Sequence, residues 1–135
     1  VFSPDGQTIY FTSDRGGSPQ IYQIPVSGGT PKRVTFEGGY NVSPAVSPDG
    51  KLLAYIRREG GRFQVTVQEL ATGQSRTLTE SVHDESPSFA PNGQAILYAT
   101  LQGGQGVLGT VTTDGKTRAR LSESGTNARE PAWGP

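Results

Sequence analysis

The chain has 135 residues, with twelve basic and twelve acidic side chains, 19 glycines, 10 prolines, one tryptophan and neither cysteine nor methionine. The lack of cysteine excludes a disulfide scaffold and a metal site with cysteine ligands, and the balanced charge excludes an electrostatic field that would attract nucleic acid or an anionic membrane. No apolar run approaches the roughly 20 residues of a transmembrane helix, and no signal-peptide pattern stands at the amino terminus.

A four-residue turn motif recurs as Ser3-Pro4-Asp5-Gly6, Ser47-Pro48-Asp49-Gly50 and Ala90-Pro91-Asn92-Gly93. Its prolines are 44 and 43 residues apart, and Pro135 follows after a further 44. Proline sets the backbone angle of an early turn position, Asp or Asn accepts a local hydrogen bond, and glycine supplies a positive φ. A period of this length is sufficient for one four-stranded sheet and its turns.

The first unit contains three predicted strands after its turn: Thr8–Ser13, Gln20–Ile24 and Lys32–Thr35. Glycine pairs separate these strands, as is typical of hairpin loops. Residues Val1-Phe2 precede the turn where later units have a longer apolar segment. We therefore expect that the innermost strand of this unit has been cut and that the chain is a mature or cut piece.

The second unit gives the clearest strand pattern. Residues 52–56 are apolar on both faces, which is typical of a strand in a sheet that is packed on both sides, whereas residues 63–68 alternate between apolar and polar. The outer strand is predicted at 76–79. In the third unit the corresponding strands are predicted at 96–98, 107–111 and 120–122, and residues 131–135 begin a further strand.

This pattern predicts an all-β fold with three four-stranded antiparallel sheets, arranged as blades of a partial β-propeller. The repeats are approximately 1–43, 44–86 and 87–130 within one domain, 1–135. Closed propellers hold about 4–8 blades, so three blades cannot close a ring. We expect that the chain belongs to a larger propeller, or that several copies complete one, because open sheets would expose apolar faces and strand edges.

The sequence offers little for catalysis, because it has one histidine, His83, and no G-x-S-x-G nucleophile motif. We therefore predict that the chain is not an enzyme. The informative positions are three lead-in segments of unlike composition that precede the innermost strands: 40–43, 83–86 and 127–130. Variable loops on a repeated scaffold are typical of binding sites. The alternative is that the acidic residues Asp84, Glu85 and Glu130 are solvated loop charges.

The turn motifs and their neighbours resemble the carboxy-terminal half of the TolB family. The resemblance is carried by Phe2–Gly6 with Thr12–Gly17, by Asp84–Gly93, and by Arg120-Leu121 followed by Pro131-Ala132-Trp133-Gly134-Pro135. Members have an α/β domain followed by a six-bladed propeller and end shortly after a P-A-W-S-P segment, where this chain has Gly134 in place of serine. The resemblance covers essentially the whole chain and implies about the last three blades of such a ring.

The resemblance implies a periplasmic scaffold of the Tol-Pal system, which supports outer-membrane integrity and cell division. Its propeller binds the peptidoglycan-associated lipoprotein Pal and is a target of colicin translocation segments, whereas TolA is engaged through an amino-terminal extension that is absent here. Each position of the three lead-in segments would face Pal. These positions are Tyr40, Asn41, Val42, Ser43, His83, Asp84, Glu85, Ser86, Asn127, Ala128, Arg129 and Glu130.

The family also suggests calcium in the propeller channel, for which Asp84, Glu85 and Glu130 are oxygen donors. No other cofactor is expected. An alternative function is the substrate-gating propeller of a prolyl-oligopeptidase-like serine peptidase, whose blades carry similar turns. The sequence that follows Pro135 in the natural protein would discriminate between the two functions, and a fragment without a function of its own is a third possibility.

Overall fold

The structure is a computed structural model that describes residues 1–120. The predicted strands at 120–122 and 131–135 and the lead-in segment 127–130 fall wholly or in part outside the described residues. Eleven strands and no helix occur in the described part. The strands are β1 (Thr8–Ser13), β2 (Gln20–Pro25), β3 (Lys32–Arg33), β4 (Asn41–Val46), β5 (Leu52–Glu59), β6 (Arg62–Glu69), β7 (Ser75–Thr77), β8 (Asp84–Phe89), β9 (Ala95–Gln102), β10 (Gln105–Thr112) and β11 (Arg118–Arg120).

The strands form three antiparallel sheets, which contain strands β1–β3, β4–β7 and β8–β11. Within each sheet, strands that are adjacent in the chain pair with each other. The predicted all-β, blade-like fold is confirmed. The first sheet has three strands, and an isolated antiparallel bridge from Phe2 to Ile9 stands where the later sheets have an innermost strand. No helix in residues 1–120 is long and apolar enough to cross a membrane.

The outer strands are shorter than the predicted ranges 32–35 and 76–79 for a physical reason. The Val34 N–H still donates to the Ile21 carbonyl at 2.8 Å, but the next hydrogen bond along the ladder is accepted by a side chain and not by a backbone carbonyl. The Thr35 hydroxyl accepts the Ile21 N–H at 3.0 Å, and the Thr79 hydroxyl accepts the Val65 N–H at 3.0 Å. Because a hydroxyl replaces the backbone partner, the chain can leave the sheet there without an unpaired buried amide.

The apolar core fills the two seams between neighbouring sheets. Strand β5 contributes to both, because successive side chains of a strand point to opposite faces. Leu53 and Tyr55 pack in the cluster with the first sheet, and Ala54 and Ile56 pack in the cluster with the third. All four are buried, which confirms the prediction of a strand covered on both faces. Each large apolar side chain buried in this way contributes about 1.5–3 kcal/mol to stability.

The repeated turn is held by a small hydrogen-bond network. In its second copy the Ser47 hydroxyl donates to Asp49 Oδ1 at 2.6 Å, and the same carboxylate oxygen accepts the Lys51 N–H at 3.0 Å. The Leu52 N–H in turn donates to Ser47 Oγ at 2.9 Å. These donors favour the ionised carboxylate, so the Ser47 hydroxyl, followed by the Lys51 amide, lowers the pKa of Asp49 below its usual value.

Neighbouring turns also contact each other. Gly50 has a φ of +75°, and a Cβ at this position would lie 3.7 Å from Cδ of Pro4. At the next turn a Cβ on Gly93, φ +74°, would lie 3.4 Å from Cδ of Pro48. In both of these pairs the proline of one turn therefore packs against the glycine of the following turn.

We expect Asp49→Asn to lower the stability of the protein at about pH 7 and to have little effect in strong acid. The pKa of Asp49 is depressed in the folded state, so its charge stabilises the fold above the unfolded-state pKa, and this contribution is lost as pH falls through the folded-state pKa. Denaturant unfolding of both proteins across this pH range measures the difference.

The matched control is Asn92→Ala, which removes the hydrogen bond from the Gln94 N–H to Asn92 Oδ1 in the third turn without changing charge. Its destabilisation should be the same at every pH. A pH-independent effect of Asp49→Asn would show that the carboxylate charge contributes nothing to the turn.

Candidate functional site

The two described lead-in segments converge at one place, between the second and third sheets. Tyr40 lies at the start of the second sheet and His83 at the start of the third, and the ring of Phe63 lies between them. The ring centroids of Tyr40 and Phe63 are 5.7 Å apart, and those of Phe63 and His83 are 5.0 Å apart, both in edge-to-face arrangements. Such pairs are favourable beyond the area they bury.

The backbone fixes this arrangement as well. The Phe63 N–H donates to the Val82 carbonyl at 2.8 Å, and Phe63 forms an isolated parallel bridge with His83. Glu85 lies 3.7 Å from His83, Oε2 to Nε2. We call the surface formed by Tyr40, Phe63, His83 and Glu85 the rim.

Sequence reasoning missed Phe63 and its neighbour Arg58, whose guanidinium lies 4.9 Å from the Tyr40 ring centroid. Both residues flank the β5–β6 hairpin loop, which contains Gly60 and Gly61. The repeated glycine-pair loops were the available signal, because they recur in phase with the lead-in segments. In a propeller this phase places the loops on the same face as the lead-in segments, but it does not single out Phe63 or Arg58.

Asn41 and Asp84 occupy the same position in successive innermost strands, and both are buried. Asn41 is 0% exposed and Asp84 is 1% exposed. The alternative in which Asp84 is a solvated loop charge is therefore wrong. It fails because β8 begins at Asp84, so this residue is part of the seam between the sheets. Glu85 is half-buried, and Glu130 lies outside the described residues.

Asn41 has a complete set of partners. Its side-chain amide donates to Gln20 Oε1 at 2.8 Å and to the Glu37 carbonyl at 2.9 Å. Its own oxygen accepts from Arg57 Nε at 3.0 Å. Asn41 and Arg57 are also direct cross-strand partners in the β4–β5 ladder. The buried guanidinium of Arg57 therefore lies in the seam between the first and second sheets and pairs with Asn41 there.

Asp84 holds the position in β8 that Asn41 holds in β4, but the residue opposite it on the neighbouring strand is different. Its cross-strand partner in the β8–β9 ladder is Thr100, where the preceding sheet has Arg57. The Thr79 hydroxyl donates to Asp84 Oδ2 at 2.5 Å, and the Val65 N–H lies 3.4 Å from the same oxygen. The other oxygen, Oδ1, is buried and has no hydrogen-bond partner among residues 1–120.

Burial raises the pKa of Asp84, because a carboxylate loses hydration there. The nearby hydroxyls of Thr79, Thr100 and Ser81 offset part of this effect, although those of Thr100 and Ser81 do not reach hydrogen-bonding geometry with Oδ1. Burial, followed by the charge of the Asp84 carboxyl, raises the pKa of Tyr98 to about 12. The seam therefore holds a buried acid without a counter-ion in the described part of the chain.

Each of the two described lead-in segments ends in a β-bulge. The register shifts between Val42 and Ala45 in one strand and between Glu85 and Ser88 in the other. Ser43 and Ser86 have positive φ values of 60° and 55°. Bulges are frequent next to functional sites, and a non-glycine residue in this conformation costs about 1–3 kcal/mol.

The acidic residues do not form a calcium site within the described range. No group of three or more His, Cys, Asp or Glu side chains in residues 1–120 is placed to hold a metal ion. Asp84 Oδ2 is committed to Thr79, and Glu85 faces His83. Because calcium takes six to eight oxygen ligands, these two carboxylates do not form a calcium site by themselves within residues 1–120.

A cavity of about 280 Å³ opens beside the rim. Aromatic, aliphatic and acidic side chains of both lead-in segments and of the β5–β6 hairpin line it. These residues are Tyr40, Val42, Ser43, Ile56, Phe63, His83, Asp84 and Glu85. Six of the eight predicted partner-facing residues in the described range therefore line one cavity.

Comparison with known proteins places this geometry in a wider context. A family model described as the TolB beta propeller domain matches residues 1–135. The Tol-Pal system protein TolB of Nitrosospira multiformis is 61% identical over 117 residues, which is 84% of this chain and 27% of that protein. The chain thus spans about a quarter of the length of this curated relative.

Solved structures agree with this result. The crystal structure of TolB from Acinetobacter baumannii has a TM-score of 0.92 and 46% identity, over 98% of this chain and 33% of that chain. A puromycin-hydrolysing peptidase of Mycobacterium tuberculosis has a TM-score of 0.69 and 21% identity, over 93% of this chain and 20% of that chain. The second similarity is one of fold alone.

We expect Thr79→Val to lower the free energy of unfolding by about 1–3 kcal/mol, because the buried Asp84 then loses its shortest hydrogen bond. The matched variant Thr35→Val should cost less. Thr35 donates to Gln20 Oε1, and when this donor is removed the same oxygen still accepts a hydrogen bond from the side-chain amide of Asn41. Denaturant unfolding measures both, and equal effects would show that the bond to the carboxyl adds nothing.

The stability difference between the wild type and Asp84→Asn should fall as pH rises from about 4 towards neutrality. The pKa of Asp84 is raised in the folded state, so its contribution is fully present below the unfolded-state pKa and is lost as pH rises through the folded-state pKa. Unfolding titrations at a series of pH values test this, and a difference that grows with pH would contradict it.

Proposed function

The chain belongs to the TolB β-propeller family, and from this membership we propose that it acts in the periplasm as a protein-binding scaffold of the Tol-Pal system. The observation that carries the proposal is the family match along residues 1–135, together with a relative of 61% identity named Tol-Pal system protein TolB. In this role the propeller supports outer-membrane integrity and cell division through contacts with other proteins.

The proposed partner is the lipoprotein Pal, and the proposed contact surface is the rim with the lead-in segments. Aromatic side chains that are partly exposed are suited to this use, because Tyr and Trp anchors dominate many interfaces. Two exposed apolar side chains, Phe36 and Val82, lie in the connections that carry Tyr40 and His83, at 72% and 66% exposure.

The predicted contact residues divide into two roles in this proposal. Tyr40, His83 and Glu85 are half-buried and can touch a partner, whereas Asn41 and Asp84 are buried and hold the segments in position. We extend the proposal to residues 127–130 from their equivalent place in the sequence repeat. Colicin translocation segments would use this surface by competing with Pal.

A catalytic role has less support. The curated relatives are named as a Tol-Pal system protein, a name that denotes no enzymatic reaction. The peptidase similarity is below 25% identity and concerns the fold alone, which hosts many unrelated functions. The proposed function is therefore binding.

We expect calorimetric titration with the soluble domain of Pal to show saturable one-to-one binding to the native protein, expressed from its own gene. Tyr40→Ala and His83→Ala should each weaken this binding about tenfold or more, because truncating a central anchor typically costs at least 1–2 kcal/mol. Circular dichroism of each variant establishes that it is folded.

Lys51→Ala is the control. Lys51 is exposed and follows the Asp49 turn, at the end of β5 remote in sequence from the β5–β6 hairpin of the rim. Its removal should leave affinity unchanged. Absence of Pal binding by the folded wild type would refute the proposed partner, and equal loss in Lys51→Ala would refute the assignment to the rim.

A further inference from the structure

A second and larger cavity, of about 540 Å³, lies at the seam between the second and third sheets. Its lining includes Tyr98 of β9, which belongs to the apolar cluster between these sheets, and Gly109, which stands opposite Tyr98 on β10. Residues 80–82, in the connection from β7 to β8, also line it. The cavity shares no lining residue with the one beside the rim. Its volume falls in the range of roughly 300–1,000 Å³ that is typical of small-molecule sites.

The first seam shows why the second seam has this cavity. In the first seam the Arg57 guanidinium lies over the Tyr55 ring, 5.6 Å from its centroid, and donates to the hydroxyls of Tyr55 and Ser75 at 2.9 and 3.1 Å. The equivalent ladder positions of the third sheet hold Tyr98 and Thr100. Threonine is too short to cover the ring of Tyr98 as Arg57 covers that of Tyr55, so a cavity remains.

The glycine at position 109 enlarges this space. A Cβ on Gly109 would lie 2.8 Å from Cζ and 3.0 Å from the hydroxyl oxygen of Tyr98, closer than van der Waals contact allows. The phenol end of Tyr98 therefore lies directly on the backbone of β10. Burial, followed by the charge of Asp84, raises the pKa of Tyr98 to about 12, so its hydroxyl is protonated at neutral pH and can donate a hydrogen bond.

Two arginines of the outer strand β11 supply positive charge to the cavity. Arg118 and Arg120 are two residues apart, so they share one face of the strand, and both line the cavity. Arg118 NH2 lies 3.9 Å from Glu80 Oε2, beyond hydrogen-bond distance, and Arg120 NH1 donates to Gln102 Oε1 at 2.7 Å. Because a guanidinium carries several N–H donors, these two contacts use only part of the set.

The remaining lining is mostly apolar, and part of it faces solvent. Val82 and Leu101 are large apolar side chains with 66% and 46% exposure, and both line this cavity. Such a surface beside two guanidinium groups fits a ligand with an apolar body and an anionic group. The charged lining residues are two arginines and Glu80, which gives a net charge of +1. A singly charged carboxylate matches this charge better than a phosphate does.

We propose that this cavity binds a small organic carboxylate, with the carboxylate on Arg118 and Arg120 and the apolar body against Tyr98, Val82 and Leu101. A free carboxylic acid and the C-terminal carboxylate of a peptide share this chemistry, and the test below separates them. The inference goes beyond the proposed function and does not depend on it, because this cavity and the one beside the rim are separate.

Two carboxylates test the site. We would titrate the native protein, expressed from its own gene, with 3-phenylpropionate and with N-acetylglycylphenylalanine, and follow the ligand by saturation-transfer NMR. At least one should bind saturably with a Kd of about 1 mM or below, as is typical of ligands of this size. The neutral amides of both ligands should bind about tenfold more weakly, because they cannot form charge-assisted hydrogen bonds. Inorganic phosphate should not displace either carboxylate.

Variants locate the ligand. Arg118→Gln should weaken carboxylate binding about fivefold or more, because it removes an exposed guanidinium from the cavity. Glu80→Gln should strengthen it about twofold, because it removes the competing carboxylate. Thr100→Arg should block binding by filling the cavity as Arg57 fills the first seam. Lys116→Gln is the control, because it removes the same charge from an exposed residue that does not line the cavity, and it should leave affinity unchanged. Circular dichroism of each variant establishes that it is folded.

The outcomes separate this inference from the proposed function. Absence of binding by both carboxylates, equal binding of the amides, displacement by phosphate, or unchanged affinity in either Arg118→Gln or Thr100→Arg would overturn the site. Tighter binding of the peptide would support the site and assign it to a chain end, whereas tighter binding of 3-phenylpropionate would support it and assign it to a free acid. Pal is absent from these titrations, so their failure leaves the proposed function intact, and failure to bind Pal leaves this site intact.

Discussion

The structure depends on how the ends of the first two outer strands, β3 and β7, satisfy a buried amide. Thr35 and Thr79 accept the N–H groups of Ile21 and Val65, each at 3.0 Å. A hydroxyl in place of a backbone carbonyl ends the ladder without leaving a buried donor unpaired, so the chain is released to cross to the next sheet. The same hydroxyl then donates to a side chain of the seam: Gln20 for Thr35 and Asp84 for Thr79. The position of both lead-in segments follows from this one contact.

The repetition of the backbone leaves the polar chemistry of each seam free to vary. The first seam holds a complete network around Arg57, and the second holds an acid whose second oxygen is unpaired in the described range. Buried polar groups are favourable when every member has a partner and unfavourable otherwise. A repeated backbone can therefore hold a fully paired polar network at one seam and a partly paired buried acid at the next.

The period, the turns and the two-faced strand β5 could be predicted from the sequence, because they arise from local residue patterns and from burial on both sides of a sheet. The buried state of Asp84 could not, because residues 83–86 are as polar as a solvated loop. Superposition of the repeats does place Asn41 and Asp84 at one position, three residues before a proline, which signals a common structural role. Phe63 escaped prediction because its contact with Tyr40 and His83 joins residues that are distant in the chain.

The packing of Pro4 on Gly50 and of Pro48 on Gly93 has an evolutionary consequence. Each unit carries both halves of this contact, a proline for its successor and a glycine for its predecessor. A tandem duplication of one whole unit therefore creates a new joint with both halves already in place, whereas a duplication out of phase would separate them. Blade number in such a protein can change by recombination in whole periods, and divergence of the lead-in segments can follow without any loss of the contact between turns.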